Sequence, residues 1–192
     1  MDYAMLSRHS IQSTSDQEDY VQYAAIAAGS PAALTPEQSA VWSYPLREGD
    51  DEEVIFNMVN ALLLRVHQSG HLAELEPHRR SLVKEALDYY KTIRSDIPHA
   101  TPFWPLGLPD SEGEWVSLGL RRGERRYVAV WRIAGESANV QLPIEELKGL
   151  EPAIDCAYPQ QHSSTWNWDQ SAGVLTVALP PGKTARLFEI TS

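Results

Sequence analysis

The stretch HSIQSTSDQEDY, residues 9–20, changes character at one point and places carboxylates there. Before Ser13 the residues are β-compatible, with Ile11 between polar neighbours. After Asp16 the run VQYAAIAA repeats apolar residues at helical spacing. The junction therefore predicts a strand running into a helix. A carboxylate at such a corner, on the C-terminal rim of a parallel strand, stands where α/β barrels keep their reactive groups. The same residues also read as a helix cap. Ser15 with Glu18 three positions on forms a capping box, and Asp16 and Asp19 suit the positive end of a helix dipole.

Working outward, residues 1–98 alternate short strand-like runs with helices. The first helix, over about 18–28, stops at Gly29 and Pro31. AALTPEQ (32–38) reads as a short strand and its exit, and SAVWSYPLREGDDEE (39–53) as a loop. Asp50 to Glu53 lead into the helix VIFNMVNALLLRV (54–66). QSGHL (68–72) is a turn or short strand. A long helix then follows over about 77–97, with Pro77 in its first turn, where a missing amide costs nothing. Leu82, Val83, Ala86, Leu87, Tyr90 and Ile93 give that helix one apolar stripe. The rhythm predicts parallel β with crossover helices, about three strands where a closed barrel needs about eight.

The texture changes at the proline-rich HATPFWPLGLPD (99–110). Beyond it lie WVSLGL, RYVAVWRI, NVQLPI, AIDCAY, TWNWD, VLTVAL and TARLFEI, seven alternating runs separated by turn residues. They predict an antiparallel sandwich. The expected fold class is thus α/β followed by all-β. Residues 1–98 form a partial barrel segment and residues 99–192 a C-terminal antiparallel β-sandwich domain.

Composition narrows the partners. With 43% hydrophobic and 22% charged residues the chain has a globular balance, and its net charge of -10 argues against a nucleic-acid backbone or an anionic membrane. No apolar run reaches the roughly 18 residues of a membrane span. The lone Cys156 cannot form an internal disulfide, and MDYAMLSRHS has neither a basic nor an apolar leader region. The cytoplasm is the expected compartment.

SIQSTSDQEDY (10–20), LTPEQSAVWSYP (34–45), SGHL (69–72), YYKTIR (89–94) and WPLGLP (104–109), in that order and at these separations, resemble the C-terminal part of a family 36 glycoside hydrolase. Members of that family are chiefly retaining α-galactosidases, with a β-sandwich after the barrel. The resemblance spans nearly the whole chain. It implies that Asp16 is the general acid/base and that an α-galactoside or related oligosaccharide is the ligand. It also implies that Ser13, Glu37, Trp42 and His71 line the sugar pocket. Ser13 stands where many members have an aromatic residue.

A retaining glycosidase needs two carboxyl groups about 5 to 5.5 Å apart. The resemblance places the nucleophile in a Lys-Trp-Asp-like motif on an earlier strand, and no Lys-x-Asp occurs here. The chain alone is therefore expected to be inactive, with the open barrel edge covered by a homo-oligomer or partner chain. The alternative is a non-catalytic carbohydrate-binding or interaction module. No cofactor is expected. No metal is expected either, since His67 and His71 straddle Gly70 without a third ligand nearby. Trp104, Trp115, Trp131, Trp166 and Trp168 lie in or beside predicted strands, where large aromatics fill cores. Gln17 and Asp19 flank Asp16 as helix-start residues or as its support.

Overall fold

A computed structural model describes residues 3–162 and 164–192, with only the backbone described for Tyr3 and Met5. A short helix, α1 (Tyr3–Leu6), leads into β1 (Gln12–Ser13), α2 (Tyr20–Gly29), β2 (Ser39–Ser43), α3 (Asp51–Leu62), β3 (Arg65–Gln68) and α4 (Pro77–Ile93). The three strands form one parallel sheet in the order β1-β2-β3, each joined to the next by a helix, as parallel pairing requires.

One face of this sheet is dry. Val41 and Ser43 point at α3, where the Ser43 hydroxyl donates to the Met58 sulfur at 3.4 Å. Trp42 and His67, at paired positions, point the other way and are only half-buried. α3 has no solvent side over most of its length, for every residue from Glu53 to Leu62 is buried. A helix apolar all round must be enclosed. Here α2 and α4 flank it, β2 lies on one side and an antiparallel sheet on the other.

That second layer is built from β4 (Thr101–Phe103), β5 (Trp115–Arg122), β6 (Arg125–Arg132), β7 (Asn139–Pro143), β8 (Ala153–Tyr158), β9 (Thr165–Asp169), β10 (Val174–Ala178) and β11 (Thr184–Thr191). Five strands make one antiparallel sheet, β4-β5-β6-β11-β8, and three make another, β7-β10-β9. The five-stranded sheet is covered on both faces. Leu118, Leu120, Tyr127, Ala129, Trp131 and Leu187 join the helices' core. Val128, Val130, Phe188 and Ile190 meet Leu142, Leu175 and Val177 of the smaller sheet. The helices and the five-stranded sheet thus share one apolar core. Arg186 of β11, fully buried, adds a two-pronged ion pair to Glu52 of α3, with both contacts at 2.7 Å.

Local chemistry explains the corners. Gly123 opens the two-residue turn between β5 and β6 at φ 58, where such hairpins need a positive φ. At Gly119 an added Cβ would fall 2.2 Å from the Phe103 ring, so β4 lays its aromatic across a bare glycine.

All seven expected antiparallel strands are present. β4 was not expected, because Pro102 argues against a strand everywhere except at a sheet edge, where it lies. In the first half the positions differ. AALTPEQ is a 3-10 turn and loop, and the strand is SAVWS, the segment expected to be a loop. Likewise β3 is RVHQ, just ahead of SGHL, and the last helix ends at Ile93 before a 3-10 turn over Ile97–His99. Among the described residues no helix is long and apolar enough to cross a membrane.

Candidate functional site

The C-terminal ends of β1, β2 and β3 open onto a cleft of about 610 Å³ lined by Asp16, Glu18, Tyr44, Leu46, Ser69, Gly70 and His71. Each of the three strands contributes through the segment that follows it. Asp16 lies three residues beyond β1, Tyr44 one beyond β2, and Ser69 one beyond β3.

The Asp16 corner does not follow the expected capping box. The N-cap of α2 is Asp19, whose Oδ1 accepts from the Val21 and Gln22 amides at 2.8 and 3.2 Å. Ser15 Oγ accepts from the Gln17 amide instead (3.0 Å), and Gln17 Oε1 accepts from the Asp19 amide (2.9 Å). These bonds fold residues 15–19 into a braced corner and leave the exposed Asp16 side chain with no capping duty. Beneath the corner lies the buried Tyr23 hydroxyl. It sits 2.9 Å from Thr14 Oγ1 and 3.4 Å from the Ser15 carbonyl, and it accepts from the Trp42 amide at 3.3 Å.

The opposite wall is the loop after β2. Tyr44 stacks on Trp42 with ring centroids 6.2 Å apart, and Trp42 meets His67 edge-on at 4.8 Å. The Tyr44 phenol is pushed above its ordinary value, first by burial and then by Tyr23, Asp16 and Glu18, so it stays a neutral donor. The Tyr44 amide donates to Asn57 Oδ1 (3.3 Å), and the Leu46 amide donates to the two Glu53 oxygens (3.2 and 3.3 Å). Arg79 of α4 donates to the carbonyls of Leu46, Arg47 and Gly49.

The third wall turns at Gly70. Its φ of 84 belongs to the left-handed region, and a Cβ there would lie 2.9 Å from the Pro45 carbonyl. Glycine is required on both counts. The turn is tied to the second wall by Ser69 N to Ser43 O (2.9 Å) and His71 N to Pro45 O (3.3 Å). His71 Nδ1 lies 3.4 Å from Glu74.

Of the residues expected from the sequence, Asp16 and His71 share this cleft. Ser13 and Trp42 adjoin it, joined by Trp42 Nε1 donating to Ser13 Oγ at 3.2 Å. Glu37 does not reach it. It precedes β2, and its carbonyl accepts from Arg65 Nε at the start of β3, so it belongs to the other end of the sheet. Sequence alone singles out neither Tyr44 nor Leu46, and it gives Glu18 and Glu53 only places at helix starts. The two-residue spacing of Trp42 and Tyr44 was the one available signal for Tyr44.

A second cleft of about 550 Å³, between α4 and the β8 edge, contains none of the expected residues. Among the described residues no group of three or more His, Cys, Asp or Glu is placed to hold a metal ion. Chemically, the first cleft offers carboxylate acceptors, hydroxyl and phenol donors and an aromatic wall, a set suited to a small neutral polyhydroxyl ligand.

No protein-family model matches the chain, and no curated protein matches it. Solved structures do. The α-galactosidase AgaA of glycoside hydrolase family 36 from Geobacillus stearothermophilus, solved in complex with raffinose, matches at 17% identity and a TM-score of 0.65. The galactosidase domain of the α-galactosidase-sucrose kinase AgaSK matches at 18% and 0.63, and the α-galactosidase from Lactobacillus brevis at 13% and 0.64. Each match covers 92% of this chain and 25% of the other. At these identities the shared property is the fold. The chain spans a quarter of the length of these α-galactosidases and resembles them as a C-terminal portion would.

Proposed function

We propose that this chain is the C-terminal part of a retaining, α-galactosidase-like hydrolase, with residues 1–98 as the last strands and helices of an incomplete (β/α)8 barrel and residues 99–192 as its β-sandwich. Asp16 is the general acid/base, and the nucleophile lies outside this polypeptide. The reading is carried by one observation, the placing of Asp16 and His71 in a single cleft at the C-terminal ends of three parallel strands. The fold shared with α-galactosidases supports it, as does the raffinose complex of AgaA. Ser13 and Trp42 shape the edge of the sugar site, while Glu37 has no part in it. The Trp42 and Tyr44 rings favour a second reading, sugar binding without chemistry. The cytoplasm remains the compartment that best suits a chain with one cysteine.

The flanks of the parallel sheet support a covering partner. Beside α2 runs an apolar groove of about 410 Å³ lined by Ala25, Ile26, Leu34, Leu108 and Pro109. On α4 a smaller groove of about 300 Å³ is lined by Leu72, Val83 and Leu87 together with the charged Arg80, Lys84, Asp88 and Lys91. β1 and β3 are the outer strands of the sheet. Open strand edges beside apolar grooves favour association with a partner chain or a second copy, which size-exclusion chromatography of the purified chain reads directly.

Activity and binding together test the assignment. Turnover of an aryl α-galactoside by the chain alone is expected at background level. Raffinose binding is expected to weaken about tenfold in Asp16→Ala and in Trp42→Ala, the loss of roughly one hydrogen bond or one stacking contact. Turnover that Asp16→Asn abolishes would overturn the missing nucleophile. Raffinose binding indifferent to both substitutions would overturn the site.

A further inference from the structure

We propose that Tyr23 is a positioning residue for the cleft, its hydroxyl replacing one rung of the β1–β2 ladder and so setting the spacing between the Asp16 corner and the Trp42 wall. The inference rests on reading the cleft as the ligand site and adds what fixes its width. The ladder itself carries the interruption. Parallel strands exchange evenly spaced bonds in both directions. Here the Gln12 amide donates to the Gln38 carbonyl at 2.8 Å and the Thr14 amide to the Ala40 carbonyl at 3.0 Å. The next rung of such a ladder runs from the Trp42 amide back to the Thr14 carbonyl. The Trp42 amide donates instead to the Tyr23 hydroxyl, at 3.3 Å. Pairing of β1 with β2 accordingly stops at Ser13 and Ala40, while β2 continues beside β3 to Ser43.

The hydroxyl has partners on both sides of the gap. The Thr14 hydroxyl donates to the Ala40 carbonyl (3.0 Å), so its oxygen accepts from Tyr23 at 2.9 Å, with the Ser15 carbonyl a second acceptor at 3.4 Å. One phenol thus bonds to the residue that follows β1, to the residue before Asp16 and to the backbone of Trp42. The Trp42 side chain is tied across the same gap, its indole donating to Ser13 Oγ at 3.2 Å. β1 is two residues long, so beyond it the ladder has no hold on Asp16. Packing does not require the hydroxyl. Tyr23 is 1% exposed in the helices' apolar core, where a phenylalanine ring would fill nearly the same space. Burying a hydroxyl is unfavourable unless it is bonded, and the bonds this one makes all lie between the strands that lead to Asp16 and Trp42.

Tyr23→Phe tests this, with Tyr127→Phe as its counterpart. The Tyr127 phenol is equally buried and donates to Asp96 at 2.7 Å, but it belongs to the antiparallel sheet. In Tyr23→Phe the ring still occupies the gap, so the Trp42 amide loses its acceptor and gains none. Its native-state hydrogen exchange should quicken about tenfold and raffinose binding should weaken about tenfold, each the loss of about one hydrogen bond. Tyr127→Phe should lower stability in urea yet leave both readouts unmoved. Thr14→Val, which takes the acceptor from the bridge, should weaken raffinose binding, and Thr14→Ser, which keeps the hydroxyl, should bind as the unaltered chain does. An unchanged Trp42 amide in Tyr23→Phe overturns the proposal. So does raffinose binding that weakens equally in Tyr23→Phe and Tyr127→Phe, or in neither. No raffinose binding by the unaltered chain, with the difference in Trp42 exchange intact, overturns the functional reading and leaves the bridge standing.

Discussion

The parallel sheet and the five-stranded antiparallel sheet are treated in opposite ways by the same chain. The antiparallel one is covered on both faces, by helices on one side and by β7, β10 and β9 on the other, and its centre is uniformly apolar. The parallel one is covered on the side where α2 and α3 pack on it, and its other face carries the half-buried Trp42 and His67 beside a cleft with exposed carboxylates. A covered sheet stabilises, while a bare one leaves polar and aromatic groups free to meet a ligand. The contrast locates the candidate site independently of any relative.

Substitutions can break or sharpen that contrast. The largest effect is expected at the joint between the two layers. Glu52→Ala leaves the Arg186 guanidinium buried without its carboxylate and should lower unfolding stability by about 3 to 5 kcal/mol in urea titrations. Next, Leu175→Ala in the covered core should cost about 2 to 5 kcal/mol, whereas Trp42→Ala on the bare face should cost clearly less despite removing a larger side chain. Equal losses would erase the distinction between the faces. Asp19→Ala removes the α2 cap and should cost about 1 kcal/mol, with Ser15→Ala costing less, which separates the observed cap from the capping box expected from sequence. Smallest is Asp16→Asn, expected within about 0.5 kcal/mol of the unaltered chain because the exposed side chain holds no structural duty. Across pH, Glu53 makes its own contribution. Stability should decline as pH rises from about 4.5 to about 7, since the folded chain retains a proton there that the unfolded chain has lost, and Glu53→Gln should remove that decline.

Legibility followed the same divide. Long alternating runs such as RYVAVWRI and TARLFEI, each bounded by turn residues, could be read because covered strands carry redundant apolar signals. The parallel strands have two to five residues and a mixed face, so SAVWS looked like loop and AALTPEQ like strand. That shift alone misplaced Glu37. With AALTPEQ taken as a short strand and its exit, Glu37 falls in the exit, whereas it actually precedes β2 and lies at the far end of the sheet. The position of Asp16 and His71 at strand ends was legible because the corner and the SGHL turn keep their sequence signatures whatever the strand register. Glu53 was read as one of several acids at a helix start, and only the enclosure of α3 by two sheets and two helices explains why it is buried.

The central claim is that the cleft at the C-terminal ends of β1, β2 and β3 is where a galactoside sits. The most direct measurement is a raffinose titration followed by amide chemical shifts. Saturable shifts are predicted at residues 16–18, 44–46 and 69–71, diminished in Asp16→Ala, with β7, β10 and β9 unmoved. Saturable shifts confined to the antiparallel sheets, or none at the three strand ends, would contradict it.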